Sequence, residues 1–216
     1  MNVVITGSSQ GIGLAIARYF LDQRGHLVHG IDLRAPSLCS DEYIHHQHDV
    51  TGTLPDIQNV HILINNAGVQ TNSPKDIEVN LSGLINVTEK YGLQRPIKSI
   101  VNIASASAHS GLEFPHYAAS KGGVLAYTKW AAIEVAKFGA TCNSVSPGGV
   151  HTDMNAVIEH DPKKLEAVFA ETLLGKWASP NEIAELVYYL AVVNKSITAQ
   201  DILIDNGEMA KGNFIW

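Results

Sequence analysis

Short apolar runs separated by amphipathic stretches recur along the whole chain. Val3-Val4-Ile5 and Ile62-Leu63-Ile64 are continuous apolar runs without alternation, the pattern of strands buried on both faces. Such runs predict strands near 2–6, 27–32, 43–48, 60–65, 99–104, 140–145 and 200–204. Between them, apolar positions at helical spacing predict helices near 11–24, 76–92, 116–138, 162–174 and 180–193. This alternation predicts an α/β fold: a Rossmann-like, doubly wound parallel β-sheet of about seven strands with helices on both faces. From Tyr117 to Phe138, small and apolar residues spread over much of the helix circumference, which predicts burial on more than one side and a place in a subunit interface. No repeat, low-complexity tract or Pro/Gly/Ser linker divides the chain, so residues 1–216 are expected to form one domain.

Composition narrows the class of function. Fifteen Lys and Arg against 21 Asp and Glu give a net charge of −6 with no basic cluster, which weighs against a nucleic-acid partner. Cys39 and Cys142 are the only cysteines and sit in no metal-binding or CxxC spacing, so no disulfide framework is expected. No apolar run reaches the roughly 18 residues of a membrane span, and no charged leader with a cleavage site opens the sequence. A cytoplasmic protein without a membrane partner is the expectation.

Chemistry enters at the first turn. Thr6-Gly7-Ser8-Ser9-Gln10-Gly11-Ile12-Gly13 lies between the first predicted strand and the first helix. Gly7 allows a tight turn, Gly11 lets backbone approach a pyrophosphate, and Gly13 lets the helix pack closely on its strand. The helix N-terminus then offers unpaired N–H groups and a partial positive charge to phosphates. Gly7, Ser9, Gln10, Gly11, Ile12 and Gly13 are therefore candidate dinucleotide contacts. Asp32, followed by Leu33, ends the second strand 19 positions after Gly13. A carboxylate there accepts the hydroxyls of an adenosine ribose and repels a 2′-phosphate, which favours NAD over NADP. Arg34 is the counter-argument, since an arginine nearby can pair with that phosphate.

Further along stand Asp49-Val50, Asn65-Asn66-Ala67-Gly68, Asn80-Leu81-Ser82-Gly83, Ser105, Tyr117-Ala118-Ala119-Ser120-Lys121 and Pro147-Gly148-Gly149-Val150-His151-Thr152. With the TGxxxGxG turn, these resemble the motifs of the single-domain branch of the short-chain dehydrogenase/reductase family, in family order over nearly the whole chain. The resemblance implies that Asp49 and Val50 contact the adenine. It implies that Asn66, Ala67 and Gly68 pass close to the adenosine ribose, and that Pro147, Gly148, Val150 and Thr152 belong to the loop holding the nicotinamide carboxamide. It implies catalytic roles for Ser105, Tyr117 and Lys121, a proton-relay water held through the backbone of Asn80, and a homodimer or homotetramer.

Tyr117 and Lys121 stand at i and i+4, so they share a helix face. A phenol with pKa about 10 is a poor base at neutral pH. A lysine cation and an oxidised nicotinamide nearby both favour its ionised form. Ser105, at the end of the fifth predicted strand, is placed to hydrogen-bond a substrate oxygen; Ser107 and Ser110 are its rivals. The expected reaction is hydride transfer between NAD(H) and a small-molecule secondary alcohol or ketone. The alternatives are an NADPH-dependent 3-oxoacyl-thioester reductase and a non-catalytic dinucleotide-binding regulator.

Several features depart from the family pattern. Ser105 and Tyr117 are 12 positions apart, one fewer than the commoner spacing. Only 14 residues separate Val50 from Asn65 and 11 separate Gly68 from Asn80, so helices there are expected to be trimmed or absent and the active-site mouth more open. His45, His46 and His48 read as polar strand-end residues rather than metal ligands, with His46 and His48 on one face. His109 and His116 are candidates to touch substrate. Leu165, Val168, Phe169 and Leu173 form an apolar stripe on a short helix within 153–177, where the resemblance implies a substrate lid; core packing and a mobile cover are its two readings, and Met154, Val157, Phe114 and Trp177 are expected to line an apolar pocket.

Overall fold

A computed structural model describes residues 1–211. Seven parallel strands form one sheet in the order β3-β2-β1-β4-β5-β6-β7: β1 Asn2–Thr6, β2 Leu27–Asp32, β3 Tyr43–Gln47, β4 Val60–Asn65, β5 Ser99–Ile103, β6 Thr141–Pro147 and β7 Asp201–Ile204. The strand order reverses beside β1, which opens a crevice at the carboxyl ends of β1 and β4, the usual ligand position in such sheets. Val3, Val4 and Ile5 are fully buried, as the unalternating apolar run requires. Val3 and Ile5 face helices α1 (Gly11–Asp22) and α8 (Pro180–Tyr188), where Ile16, Phe20, Ile183 and Val187 complete one core. Val4 faces the other way, toward Val87 and Tyr91 of α3 (Leu84–Tyr91) and Ala131 and Val135 of α5 (Pro115–Ala136). A buried polar chain ties that second layer to the sheet: Asn65 Nδ2 donates to Thr88 Oγ1 and Asn102 Oδ1, and Asn102 Nδ2 donates to Thr128 Oγ1.

The short segments take the form their lengths demand. Residues 48–59, between β3 and β4, contain no helix, and Leu54 and Ile57 fill the core in its place. Irregular backbone needs partners for its carbonyls, and α3 supplies them. Asn86 Nδ2 donates to the Val50 and Gly52 carbonyls, Lys90 Nζ to that of Leu54 and the Tyr91 hydroxyl to that of Pro55. After Gly68, only the four-residue helix α2 (Pro74–Ile77) precedes a π-helical turn at Glu78–Gly83, which runs directly into α3.

Other helices differ from the sequence reading at their ends. A short α4 (Ser107–Ser110) follows β5 where a loop was expected. Within 153–177, α6 (Ala156–Glu159) precedes α7 (Pro162–Phe169), which stops short of the predicted residue 174. Thr172 ends it: its hydroxyl donates to the Phe169 carbonyl and accepts from the Lys176 N–H, stabilising a turn. No helix among the described residues is long and apolar enough to cross a membrane.

Candidate active site

The turn after β1 has the geometry the glycines were expected to give. Gly7 and Gly11 take φ of +68° and +52°, left-handed values that side chains disfavour. A Cβ on Gly13 would lie 2.0 Å from the Gly7 carbonyl oxygen, so only glycine closes the helix onto the turn. Asp32 braces it from β2: its carboxylate accepts from the Ser9 N–H at 2.9 Å and the Arg34 N–H at 2.9 Å. Asn66 braces it from β4, with Nδ2 donating to the Thr6 and Gly7 carbonyls. The Asn66 amide therefore shapes the turn, a use the sequence did not reveal. Ser9 Oγ and Gln10 Oε1 are buried without partners among the described residues; the hydroxyl can donate to a phosphate, whereas the amide oxygen can only accept.

A cavity of about 570 Å³ runs from this turn across the carboxyl edge of the sheet. Gly7, Gln10, Gly11, Ile12, Asp32 and Leu33 line one end, with Asp49, Val50, Asn66, Ala67 and Gly68 beside them. Pro147, Gly148, Val150 and Thr152 follow, and Ser105, Tyr117 and Lys121 stand at the other end. Ser9, Gly13 and Asn80 lie outside the cavity lining.

Tyr117 occupies the first turn of α5 and Lys121 the next. Lys121 Nζ donates to the Ile103 carbonyl at 2.8 Å and stands 5.8 Å from the centre of the Tyr117 ring. Burial pushes its ammonium down to about 8. Burial pushes the Tyr117 phenol up; the Ser105 hydroxyl opposes that rise and Asp76 adds to it. Ser105 is buried just past the end of β5, and its Oγ accepts from the Ser107 N–H. Asn80, in the π turn, is also buried. Its Oδ1 accepts from the Val69 N–H, while its Nδ2 donates to the Val69 carbonyl and to Ser120 Oγ. The side chain thus clamps the chain after Gly68 to α5, one residue from Lys121.

Several sequence expectations change here. His109 does not face the cavity; its Nε2 meets Asp201 Oδ2 at 2.8 Å, and Asp201 also accepts from Ser144 and Ser146. This ties the segment after Ser105 to β7. His116 is likewise absent from the cavity wall, as are Phe114 and Val157, whereas Met154, Val168 and Trp177 line it. His46 stacks on His29 of β2, and His45 bonds Tyr43 and the Arg34 carbonyl. His48 lies past the end of β3, bonded to the Thr53 carbonyl, and so does not share a strand face with His46. No helix α7 residue is buried, so its apolar stripe is a cover rather than a core. Phe169 and His151 meet Trp177 edge to face or tilted. The pocket is less apolar than expected, because Glu113, Glu171 and Glu208 also line it. Burial pushes the Glu208 carboxyl up, with Asp205, Glu171 and Glu113 adding to the effect. Nothing in the local sequence around these glutamates signals the site.

A family profile described as "Enoyl-(Acyl carrier protein) reductase" matches residues 48–208. The chain belongs to the short-chain dehydrogenase/reductase family. It is 30% identical to the 3-oxoacyl-[acyl-carrier-protein] reductase FabG of Aquifex aeolicus, over 96% of this chain and 86% of that protein. A 4-hydroxyisoleucine dehydrogenase solved with NADH superposes with a TM-score of 0.88 at 26% identity, covering 98% of this chain and 99% of that one. ElxO, solved with NADP, gives 0.85 at 26% identity, covering 97% and 99%. The chain is therefore an oxidoreductase for alcohol or ketone substrates that uses a nicotinamide dinucleotide.

Proposed function

We propose that this dehydrogenase transfers hydride between NAD(H) and a secondary alcohol or ketone, with Tyr117 as the acid/base. The observation that carries this reading is convergence: Ser105, Tyr117 and Lys121 share one cavity with the glycine turn and Asp32. When bound, the nicotinamide supplies or takes up the hydride. Tyr117 gives a proton to the substrate oxygen in reduction and takes one in oxidation. Ser105 donates a hydrogen bond to the same oxygen and steadies its developing charge. Lys121 spends one N–H on Ile103, which aims the ammonium and leaves its other donors for the ribose and for stabilising the Tyr117 phenolate. Asn80 positions Val69 and α5 through its side chain and supports a relay water through its backbone.

Asp32 supports NAD over NADP, because its carboxylate is held at the turn by Ser9 and Arg34 and would oppose a 2′-phosphate. Arg34 also lines the cavity and supports the second reading, an NADPH-dependent 3-oxoacyl-thioester reductase. Titrating both reduced cofactors by fluorescence separates the two: NADH is expected to bind at least tenfold more tightly, and the reverse order removes the Asp32 argument. Tyr117→Phe is expected to leave NADH affinity within about twofold and to cut turnover by roughly a thousandfold or more. Retained turnover takes the acid/base role from Tyr117. If the wild-type chain binds NADH yet turns over no alcohol or ketone in a broad panel, it is a dinucleotide-binding regulator. The proposal includes one domain carrying both sites, and assembly into a homodimer or homotetramer through α5.

A further inference from the structure

A chain of hydrogen bonds runs from the glycine turn, through β3, to the loop after β2. Ser8 Oγ meets the Tyr43 hydroxyl at 2.9 Å, that hydroxyl meets His45 Nδ1 at 3.2 Å, and His45 Nε2 meets the Arg34 carbonyl at 2.9 Å. A carbonyl only accepts, so Nε2 carries the ring proton and, in the neutral ring, Nδ1 accepts from Tyr43. The Tyr43 hydroxyl then has no second hydrogen to give and takes one from Ser8. Every donor in the chain thus points toward Arg34. Ser8 is fully buried and Tyr43 nearly so. Burial pushes the Tyr43 phenol up, with Ser8 opposing and Asp32 adding, which keeps it a donor at neutral pH. The backbone of β2 leaves room for this contact. A Cβ on Gly30 would lie 2.1 Å from the Tyr43 oxygen and 2.4 Å from Ser8 Oγ, so only glycine there lets the two meet.

What the chain holds is the backbone at Arg34. The Arg34 N–H donates to Asp32 Oδ1, and the Leu33 carbonyl of the same peptide group accepts from Gln47 Nε2 at 3.0 Å. The Arg34 carbonyl belongs to the next peptide group, and its donor is His45. Both planar groups flanking the Arg34 Cα are therefore tied, which fixes where its side chain leaves the backbone. Of the two ties, the exposed Gln47 stands alone, whereas His45 is aimed from behind by Tyr43 and Ser8. The other oxygen of Asp32 takes the Ser9 N–H, so the turn that anchors Ser8 also orients the carboxylate. Asp32 and Arg34 both line the cavity. Which of them meets an adenosine ribose depends on this short stretch of backbone.

We propose that Tyr43 and His45 are positioning residues for cofactor choice: anchored on Ser8, they hold the Arg34 backbone against Asp32, so that the carboxylate rather than the guanidinium meets the adenosine ribose. This rests on the reading above in which Asp32 favours NAD, and it adds the residues that keep Asp32 in that role. Neither residue touches the cavity itself.

Fluorescence titration of NADH and of NADPH gives the ratio of their two dissociation constants for each protein. His45→Leu removes the donor to Arg34 and is expected to move that ratio roughly fivefold toward NADPH, the size of effect one net hydrogen bond gives. His45→Gln still offers an N–H to the Arg34 carbonyl and is expected to keep the ratio within about twofold of the wild type. Tyr43→Phe leaves His45 unaimed and is expected to move the ratio roughly threefold in the same direction, with no further shift when added to His45→Leu, because Tyr43 acts only through His45. A residue that merely held the fold would weaken both cofactors alike. Nitrogen-15 NMR of the wild-type histidines tests the chain without any variant: His45 is expected as the Nε2–H tautomer. The proposal is overturned if that tautomer is Nδ1–H, or if the folded variants keep the wild-type ratio or move it toward NADH. It is equally overturned if His45→Gln behaves as His45→Leu, or if Tyr43→Phe adds a further shift to His45→Leu. The wild-type order of the two affinities reports separately on the Asp32 reading, since only the change between proteins bears on Tyr43 and His45.

Discussion

Lys121 holds a charge on the cavity wall with only 4% of its surface exposed, and its one hydrogen-bond acceptor among the described residues is the Ile103 carbonyl. With its ammonium pushed from 10.5 to about 8, the unfolded chain holds more protons than the folded one between those values. Stability therefore rises with pH across that window, and at neutral pH the buried charge costs about 3 kcal/mol. Lys121→Met is expected to be inactive yet more stable at pH 7 by about 2 kcal/mol, once the lost hydrogen bond to Ile103 is subtracted. The gain should shrink as pH approaches 10. Urea denaturation of both proteins at pH 7 and pH 10 checks this; a destabilised variant at pH 7 would show that the ammonium is better solvated than its burial implies. Residues of this kind were legible in the sequence because their spacing is local: Gly7, Gly11 and Gly13 within one turn, Tyr117 and Lys121 within one helical turn. Glu208 was not legible. It reaches the cavity beside Gly148, where a Cβ would lie 2.7 Å from its Oε2, and that depends on how the chain after β7 folds back against the loop after β6.

At the scale of elements, the edge of the sheet carries a pH sensitivity. His29 on β2 and His46 on β3 stack with 3.1 Å between Nδ1 and Nε2, which suits one shared proton and not two charges. Both are pushed below 6.5, chiefly by burial; His29 is opposed next by His46, and His46 by His48 and His45. Because the folded state takes up these protons less readily than the unfolded one, stability rises with pH through the range below 6.5 and is lost as pH falls through it. Replacing His46 with Gln, which can still donate to His29 without taking a proton, is expected to flatten that acid limb. Urea midpoints at pH 5 and pH 7.5 measure it, and an unchanged difference between the two pH values would move the sensitivity to other groups. The strands themselves were readable as apolar runs because both faces are covered. The π turn at Glu78–Gly83 was not, since it changes hydrogen-bond register by one residue without altering the apolar pattern. The absence of a helix after β3 was readable from length alone, but its replacement by Leu54 and Ile57, braced by Asn86, Lys90 and Tyr91, was not.

At the scale of the whole molecule, α5 serves two surfaces at once. Its inner side presents Lys121, Val124, Thr128, Ala131 and Val135 to the sheet, and its outer side leaves Trp130 42% and Ile133 72% exposed. Large apolar side chains at three-residue spacing on one helix lie on one face, next to one another. Against a second copy of the same helix, such a face buries itself twice by two-fold symmetry. A net charge of −6 opposes association only weakly at physiological salt, where screening acts over about 8 Å. Light scattering is therefore expected to give two or four times the mass of one chain. Ile133→Asp places a carboxylate at the centre of that face and is expected to shift the mass to that of a single chain. Because the same helix carries Tyr117 in its first turn and Lys121 in the next, the monomeric variant should also lose turnover more than cofactor affinity. A wild-type chain that scatters as a monomer would refute the assembly, and an Ile133→Asp variant that keeps the wild-type mass would place the interface elsewhere on the molecule.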